Sequence, residues 1–221
     1  MLKSIAIVTD GNRRYAAKSG ISLKDAYTTG FDKAEEVFDW CLEIPELNTA
    51  TVYALSTENL NRNFAELEVL YRLYVDYFKK LAENPKIYDS GVKVRVIGER
   101  HLLKNQALLN AIAALEEKTS NNDKRKLNIA LAYGGRAELI QAVNSIQGTV
   151  TEQALQEKLY EQQDVDLVIR TGGTQRLSNF LTWQTAYSEF FFTDKLWPEL
   201  DRQTFDKAID FYESTRRNFG K

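Results

Sequence analysis

The chain has 221 residues, 43% apolar and 27% charged, with 29 Lys and Arg against 31 Asp and Glu for a formal charge of −2. That length and balance fit one globular domain over residues 1–221 with a sizeable core, and they exclude broad nucleic-acid binding, which needs a surplus of cations to neutralise phosphates. One cysteine, Cys41, and one histidine, His101, exclude an internal disulfide, a cysteine-rich zinc site and any two-histidine relay. No apolar run approaches the roughly 18 residues of a membrane span, and the apolar part of the opening MLKSIAIVTDGN is too short for a secretory signal. A cytoplasmic location is expected.

In chain order, the apolar run Ile5–Thr9 reads as a strand ending in Asp10-Gly11-Asn12-Arg13-Arg14. Helical spacing then runs over Phe31–Glu43 through Phe31, Ala34, Val37, Phe38 and Cys41. The strand Thr51–Leu55 leads into Ser56-Thr57-Glu58-Asn59-Leu60-Asn61-Arg62, and Ala65–Ala82 reads as an aromatic-rich helix with Leu67, Leu70, Tyr74, Tyr77, Phe78 and Leu81 on one stripe. Val92–Ile97 is a strand ending in Gly98-Glu99-Arg100, followed by a helix over Leu108–Glu117. Leu127–Leu131, less β-branched, ends in Tyr133-Gly134-Gly135-Arg136 before a helix over Ala137–Ile146. The last strand, Val165–Ile169, opens into Arg170-Thr171-Gly172-Gly173-Thr174-Gln175-Arg176-Leu177-Ser178-Asn179, and a helix over Thr204–Thr215 follows. Short continuous apolar runs are the signature of buried parallel strands. Alternation of strand and helix predicts an α/β fold, a parallel sheet with helices on both faces.

In such sheets, ligands bind beyond the carboxyl ends of the strands. Every strand end here delivers at least one arginine, although the protein is slightly acidic. Guanidinium forks match phosphate oxygens, and adjacent glycines let backbone N–H groups approach an anion; the expectation is a rim that binds a phosphorylated polyanion. Neither a P-loop nor a dinucleotide glycine fingerprint is present. A carboxylate at a strand end would repel that ligand unless it held a cation, so Asp10 reads as a Mg²⁺ ligand in preference to a helix N-cap.

These residues resemble a known family. Ile5–Ala16, with Asp10-Gly11-Asn12-Arg13-Arg14-Tyr15, resembles the opening signature of cis-prenyltransferases, the undecaprenyl diphosphate synthase family. Tyr53–Asn59, Leu127–Ala130 with Tyr133–Arg136, and Asp166–Gly173 leading through Gln175–Phe180 to Ala186–Glu189 and Trp197-Pro198 resemble its later blocks, in family order over nearly the whole chain. The resemblance implies a homodimer with a twisted parallel sheet and a hydrophobic tunnel under the active rim. It implies an enzyme that joins isopentenyl diphosphate to an allylic diphosphate in Z configuration, with Mg²⁺, releasing pyrophosphate. By position, Asp10 would hold Mg²⁺; Gly11, Asn12, Arg13 and Arg14 would cradle the allylic diphosphate, with Tyr15, Tyr27 and Arg62 also placed among the substrate-binding residues. Arg170, Arg176 and Ser178 would bind the isopentenyl diphosphate. Glu189 would assist its metal across the dimer, and Ser56 and Asn59 would help position the departing proton. The helix Ala65–Ala82 is a candidate tunnel wall.

The chain departs from the family pattern at Tyr27, where the usual residue is histidine, at Ile21-Ser22-Leu23, which lacks an arginine, and at Leu60 and Thr174. Arg216-Arg217-Asn218-Phe219-Gly220 only partly matches the usual basic tail. Most of these changes fall around the allylic half of the site, and the chain is shorter than long-chain members between Ile146 and Asp166; short products of about C10 to C20 are expected, with peripheral membrane contact only for a long product. Gly20–Tyr27 also resembles the same segment of irregular, lavandulyl-type synthases, which couple two dimethylallyl diphosphates head-to-middle, although Ser22-Leu23 also fits a helix cap. A non-catalytic partner subunit is a third reading, weakened by the retained Asp10, Asn12 and Arg14.

Overall fold

The computed structural model describes residues 1–215, so the basic stretch 216–220 lies outside the described residues. Six strands, β1 (Ser4–Val8), β2 (Thr49–Ser56), β3 (Val92–Ile97), β4 (Arg125–Tyr133), β5 (Leu167–Arg170) and β6 (Glu189–Phe192), form one sheet in the order β3-β4-β2-β1-β5-β6. Every pairing is parallel. Among the described residues, eight α-helices accompany them: α1 (Asn12–Ser19), α2 (Leu23–Leu42), α3 (Phe64–Ala82), α4 (Pro85–Asp89), α5 (Gln106–Lys118), α6 (Gly135–Asn144), α7 (Glu152–Gln156) and, after the last strand, α8 (Arg202–Ser214). Among the described residues, no helix is long and apolar enough to cross a membrane.

The five sequence-predicted strands are all present. The sixth, β6, was not expected from hydropathy: it is four residues at the sheet edge, Glu-Phe-Phe-Phe, all only half-buried and none β-branched. The helix α1 gives no apolar stripe in the sequence, because Asn-Arg-Arg-Tyr-Ala-Ala-Lys-Ser carries one buried residue, Ala16. The helix α2 begins at Leu23 rather than Phe31, with Ser22 as its N-cap accepting from the Asp25 N–H at 3.1 Å. The Ser22-Leu23 pair therefore does the work of a helix start.

Side chains alternate across the sheet. Ile5, Ile7, Leu167 and Ile169 pack with Val37 and Cys41 of α2 and with Phe205, Ala208 and Tyr212 of α8. Ala6, Val8, Tyr53 and Val168 face the other way, towards Tyr133, Phe180 and Leu181. A separate cluster joins α3 and α5 to β3 and β4. Strand β2 breaks the simple pattern: Thr51, Tyr53 and Leu55 are buried, whereas Ala50, Val52 and Ala54 are partly exposed. A central strand flanked by β1 and β4 on both sides does not meet bulk water on an apolar face. These three residues face a hollow.

Candidate active site

That hollow is a cavity of about 790 Å³ between the sheet and helices α2 and α3. Its deep part is apolar: Phe31, Ala34, Phe38 and Cys41 of α2, Leu70, Tyr74 and Tyr77 of α3, and Ala50, Val52, Leu127 and Ile129 of the sheet. The candidate wall Ala65–Ala82 is thus part of its lining. Its mouth is polar and lies where β1, β2 and β5 end, lined by Asp10, Gly11, Asn12, Arg13, Arg14, Ser56, Glu58, Asn59, Arg62, Arg170, Ser178 and Asn179. The chain leaves β1 towards β2 on one side and returns to β5 on the other, so this is the topological switch point at which such sheets bind ligands.

Asp10 is the hub of the mouth. One carboxylate oxygen accepts from Arg14 Nη2 at 2.9 Å and the other from Arg170 Nη2 at 3.0 Å. Arg170 is 95% removed from solvent at its side chain, and its Nη1 also donates to Ser178 Oγ at 2.9 Å and to the Arg176 carbonyl. Arg14 reaches the Gly172 carbonyl at 2.7 Å. Gly172 has φ +83°, and a side chain there would collide with the Arg14 guanidinium. Gly11, at φ +122°, precedes α1 and packs so tightly that a Cβ would lie 2.9 Å from Leu196. No side chain caps α1; Asp10 is used for charge pairing and is not its N-cap.

Opposite this cluster, Tyr27 of α2 donates its hydroxyl to Glu66 Oε1 at 2.6 Å and accepts from Arg62 Nη1 at 3.0 Å. Glu66 also pairs with Arg62 at 3.1 Å and, at 4.0 Å, with Arg13. Burial, reinforced by the bond to Glu66, pushes the Tyr27 hydroxyl well above its usual pKa. On the β2 side, the Asn59 N–H donates to Ser56 Oγ at 3.2 Å. Glu58 is held below the ordinary carboxylate range: partial burial opposes this, but hydrogen bonds from its own backbone, Ser56, Asn179 and Thr57 outweigh it.

The turn that carries Ser178 is strained. Ser178, Asn179 and Leu181 have φ of +52°, +65° and +42°, conformations that cost about 1–3 kcal/mol each outside glycine. Three contacts hold the turn in place. Tyr53 stacks on Phe180 with centroids 4.4 Å apart, and its hydroxyl, between two carbonyls, lies 3.2 Å from Ser178 O and 3.3 Å from Tyr133 O. Asn179 accepts the Gly135 and Arg136 N–H groups at the start of α6 and donates to Glu58.

The structure therefore brings Asp10, Gly11, Asn12, Arg13, Arg14, Tyr27, Ser56, Asn59, Arg62, Arg170 and Ser178 around one cavity. It does not bring all the predicted residues there. Tyr15 and Arg176 do not line it; the Arg176 side chain is exposed and only its carbonyl touches Arg170. Glu189 starts β6 level with Leu167 and Ile5, three residues short of the Arg170 level, or about 10 Å along the strands. The expected arginine rim also narrows. Arg100 pairs with Glu116 near the far edge strand β3, and Arg136 is exposed on α6; neither lines the cavity. Glu66 is not singled out by the sequence, and Tyr53 and Asn179 fall within the quoted blocks without a role. Asn63 and Glu66 have the spacing of a capping box, which hides the carboxylate's actual partners.

Among the described residues, no three His, Cys, Asp or Glu side chains gather as a metal cage. Asp10 alone at an open mouth suits Mg²⁺ all the same, which typically takes one or two carboxylates plus substrate phosphates and water. The Asp10 carboxylate is 31% exposed and uses only one bond per oxygen to its arginines, leaving acceptor positions open.

Comparison with known proteins agrees with this geometry. The profile of the prenyltransferase family described as undecaprenyl diphosphate synthase matches residues 8–220. A tritrans,polycis-undecaprenyl-diphosphate synthase (geranylgeranyl-diphosphate specific) of Pyrobaculum aerophilum is 43% identical over 98% of this chain and 95% of its own. An isoprenyl transferase of Fusobacterium nucleatum is 41% identical, covering 99% and 95%. The crystal structure of lavandulyl diphosphate synthase from Lavandula x intermedia, in complex with dimethylallyl diphosphate, superposes with a TM-score of 0.90 at 27% identity, covering 98% and 97%. The chain belongs to the undecaprenyl diphosphate synthase family of prenyltransferases. The relatives are named as prenyl diphosphate synthases and isoprenyl transferases, and the chain is a prenyltransferase of that family.

Proposed function

We propose that the chain acts as one catalytic unit that makes a short Z-prenyl diphosphate, with both diphosphates held at the mouth and the growing chain in the apolar hollow. The observation that carries this reading is the continuity of the Asp10–Arg14–Arg170 cluster with the hollow behind it. The allylic diphosphate lies against Gly11, Asn12, Arg13 and Arg14, and the isopentenyl diphosphate against Arg170 and Ser178. Arg170 Nε and Asn12 Oδ1 are buried and find no partner in the protein; an anion at Arg170 would satisfy the first. When the allylic C–O bond breaks, its electron pair leaves with pyrophosphate, and the arginines already placed there stabilise the developing charge. The allylic C1 bonds to C4 of isopentenyl diphosphate, and Ser56 and Asn59 are placed to guide the proton lost from C2. Asp10 would hold Mg²⁺, which would supply further charge neutralisation on the departing diphosphate.

Cavity size supports a short product. The cavity of about 790 Å³ includes the polar mouth that would hold the diphosphates, so only part of it is left for the growing chain. The undecaprenyl names of the relatives describe those proteins.

A homodimer is part of the proposal. The edge strand β6 carries half-buried phenylalanines, with Phe190 stacked on Phe192, and Tyr187 and Ile140 are 73% and 64% exposed nearby in sequence or on α6. A partner copy could bring its own Glu189 to a site that this chain's Glu189 does not reach. The absence of a spanning helix among the described residues fits a cytoplasmic enzyme. The test incubates the protein with dimethylallyl diphosphate alone, then with isopentenyl diphosphate plus geranyl or farnesyl diphosphate, with Mg²⁺ or a chelator, and reads the dephosphorylated alcohols by mass spectrometry. Z-configured alcohols no longer than about C20, lost with chelator, are expected. A branched C10 alcohol from the first mixture would show irregular coupling, and a C50–C55 ladder would refute the short product.

A further inference from the structure

We propose that Tyr27 is a positioning residue that never contacts substrate phosphate: with Glu66 it holds Arg62 in the orientation that binds the allylic diphosphate. The inference rests on the function proposed above. A phenol has one proton, and that of Tyr27 is given to Glu66 at 2.6 Å, within a buried pair. Its oxygen faces Arg62 as an acceptor at 3.0 Å. With its proton committed and its lone pair turned to a guanidinium, Tyr27 has nothing to offer an anion. A phosphate oxygen is acceptor-only and would have to displace the Glu66 side chain, which is 94% buried.

Arg62, by contrast, is fixed at three points. Nη1 contacts Tyr27 and the Glu66 carboxylate, and the residue follows the short helical turn Glu58–Asn61 that also carries Asn59. A side chain with about 2 kcal/mol of rotamer entropy is thereby ordered before substrate arrives, its remaining N–H groups free to meet an anion at the mouth. Glu66 sits on α3 and Tyr27 on α2, so the same clamp ties together the two helices that wall the hollow. Arg13, 61% exposed and 4.0 Å from Glu66, is the looser second cation of this side.

If Tyr27 acts through Arg62, its hydroxyl matters only while Arg62 is present. The probe is geranylgeranyl thiolodiphosphate, an unreactive allylic diphosphate analogue, titrated calorimetrically in the presence of Mg²⁺. Tyr27→Phe is expected to weaken binding about five- to tenfold in the native background and less than twofold in an Arg62→Ala background, with isopentenyl diphosphate affinity unchanged in each. Glu66→Asp keeps the charge but withdraws it by one methylene, so it should reproduce the Tyr27→Phe loss, with no further loss when the two are combined. The proposal is overturned if Tyr27→Phe costs as much without Arg62 as with it, if Glu66→Asp binds normally, or if the two losses multiply. Because the readout is binding, these outcomes stand apart from the product assay: an absence of condensation in the native protein would refute the proposed function and leave the clamp to be judged on affinity alone.

Discussion

Asp10 shows how the setting of one side chain stays hidden in a sequence. Its position after β1 suggests a cation ligand, and the structure has it clamped between Arg14 and Arg170. The carboxylate therefore also neutralises a buried guanidinium. Asp10→Asn should abolish turnover, by 100-fold or more, and should also destabilise the protein by about 1–3 kcal/mol, because Arg170 loses its charged partner in a buried setting. Pyrophosphate release and urea unfolding measure the two effects. Full stability with lost turnover would mean that Arg170 finds compensation elsewhere, and retained turnover would remove Asp10 from the chemistry.

At the scale of elements, the strained turn 178–181 is fastened by an aromatic stack and by a single tyrosine hydroxyl from β2. Tyr53→Phe keeps the stack and removes the hydroxyl, worth about 0.5–1.5 kcal/mol. The KM for isopentenyl diphosphate is then expected to rise about two- to tenfold with the allylic KM unchanged; equal rises in both would mean a general loosening. Beneath the sheet, Glu161 is almost wholly buried, and although burial alone would raise its pKa, bonds from the Gln163 N–H, Lys126 and Asn128 lower it. A carboxyl lowered by folding adds stability above its unfolded value of about 4.3, and that stability is lost as the pH falls through the lowered value. Glu161→Gln should be less stable than the native protein at pH 7, with the gap closing towards pH 3 in urea titrations. A constant gap would show that the carboxylate's charge contributes nothing.

What the sequence made legible follows the same physics. Strands β1 and β5 are apolar and continuous because both their faces are covered, whereas β3, at one sheet edge, alternates buried Val92, Val94 and Val96 with half-exposed Lys93 and Arg95. The opposite edge strand β6 is half-buried throughout and carries no β-branched residue, so it shows neither signal. The helix α1 is polar because it serves the mouth more than the core. Strand-end residues such as Asp10, Arg170 and Ser178 could be found because the fold dictates where ligands bind. Glu66 and Tyr53 could not, because each acts across a gap of tens of residues, 39 for Tyr27–Glu66 and 125 for Tyr53–Ser178, that no local pattern records.

For the molecule as a whole, the proposed function makes the hollow between sheet and helices the limit on product length. Ala50 lies on its apolar lining, six residues before the mouth residue Ser56. Ala50→Phe adds six carbons to that lining and should shorten the longest alcohol by about one five-carbon unit while leaving the first condensation rate intact. An unchanged product distribution would place the limiting wall elsewhere.

The partly exposed Ala50, Val52 and Ala54 of β2 make the lipid a removable section of the protein's own interior. Each condensation buries about five more carbons, and up to about 4 kcal/mol of apolar transfer energy goes with them. Grip on the product therefore tightens as the chain lengthens, and escape slows with every round. The enzyme should show a rapid first turnover followed by a slow steady state, and detergent micelles that accept the lipid should raise the steady rate without changing the burst.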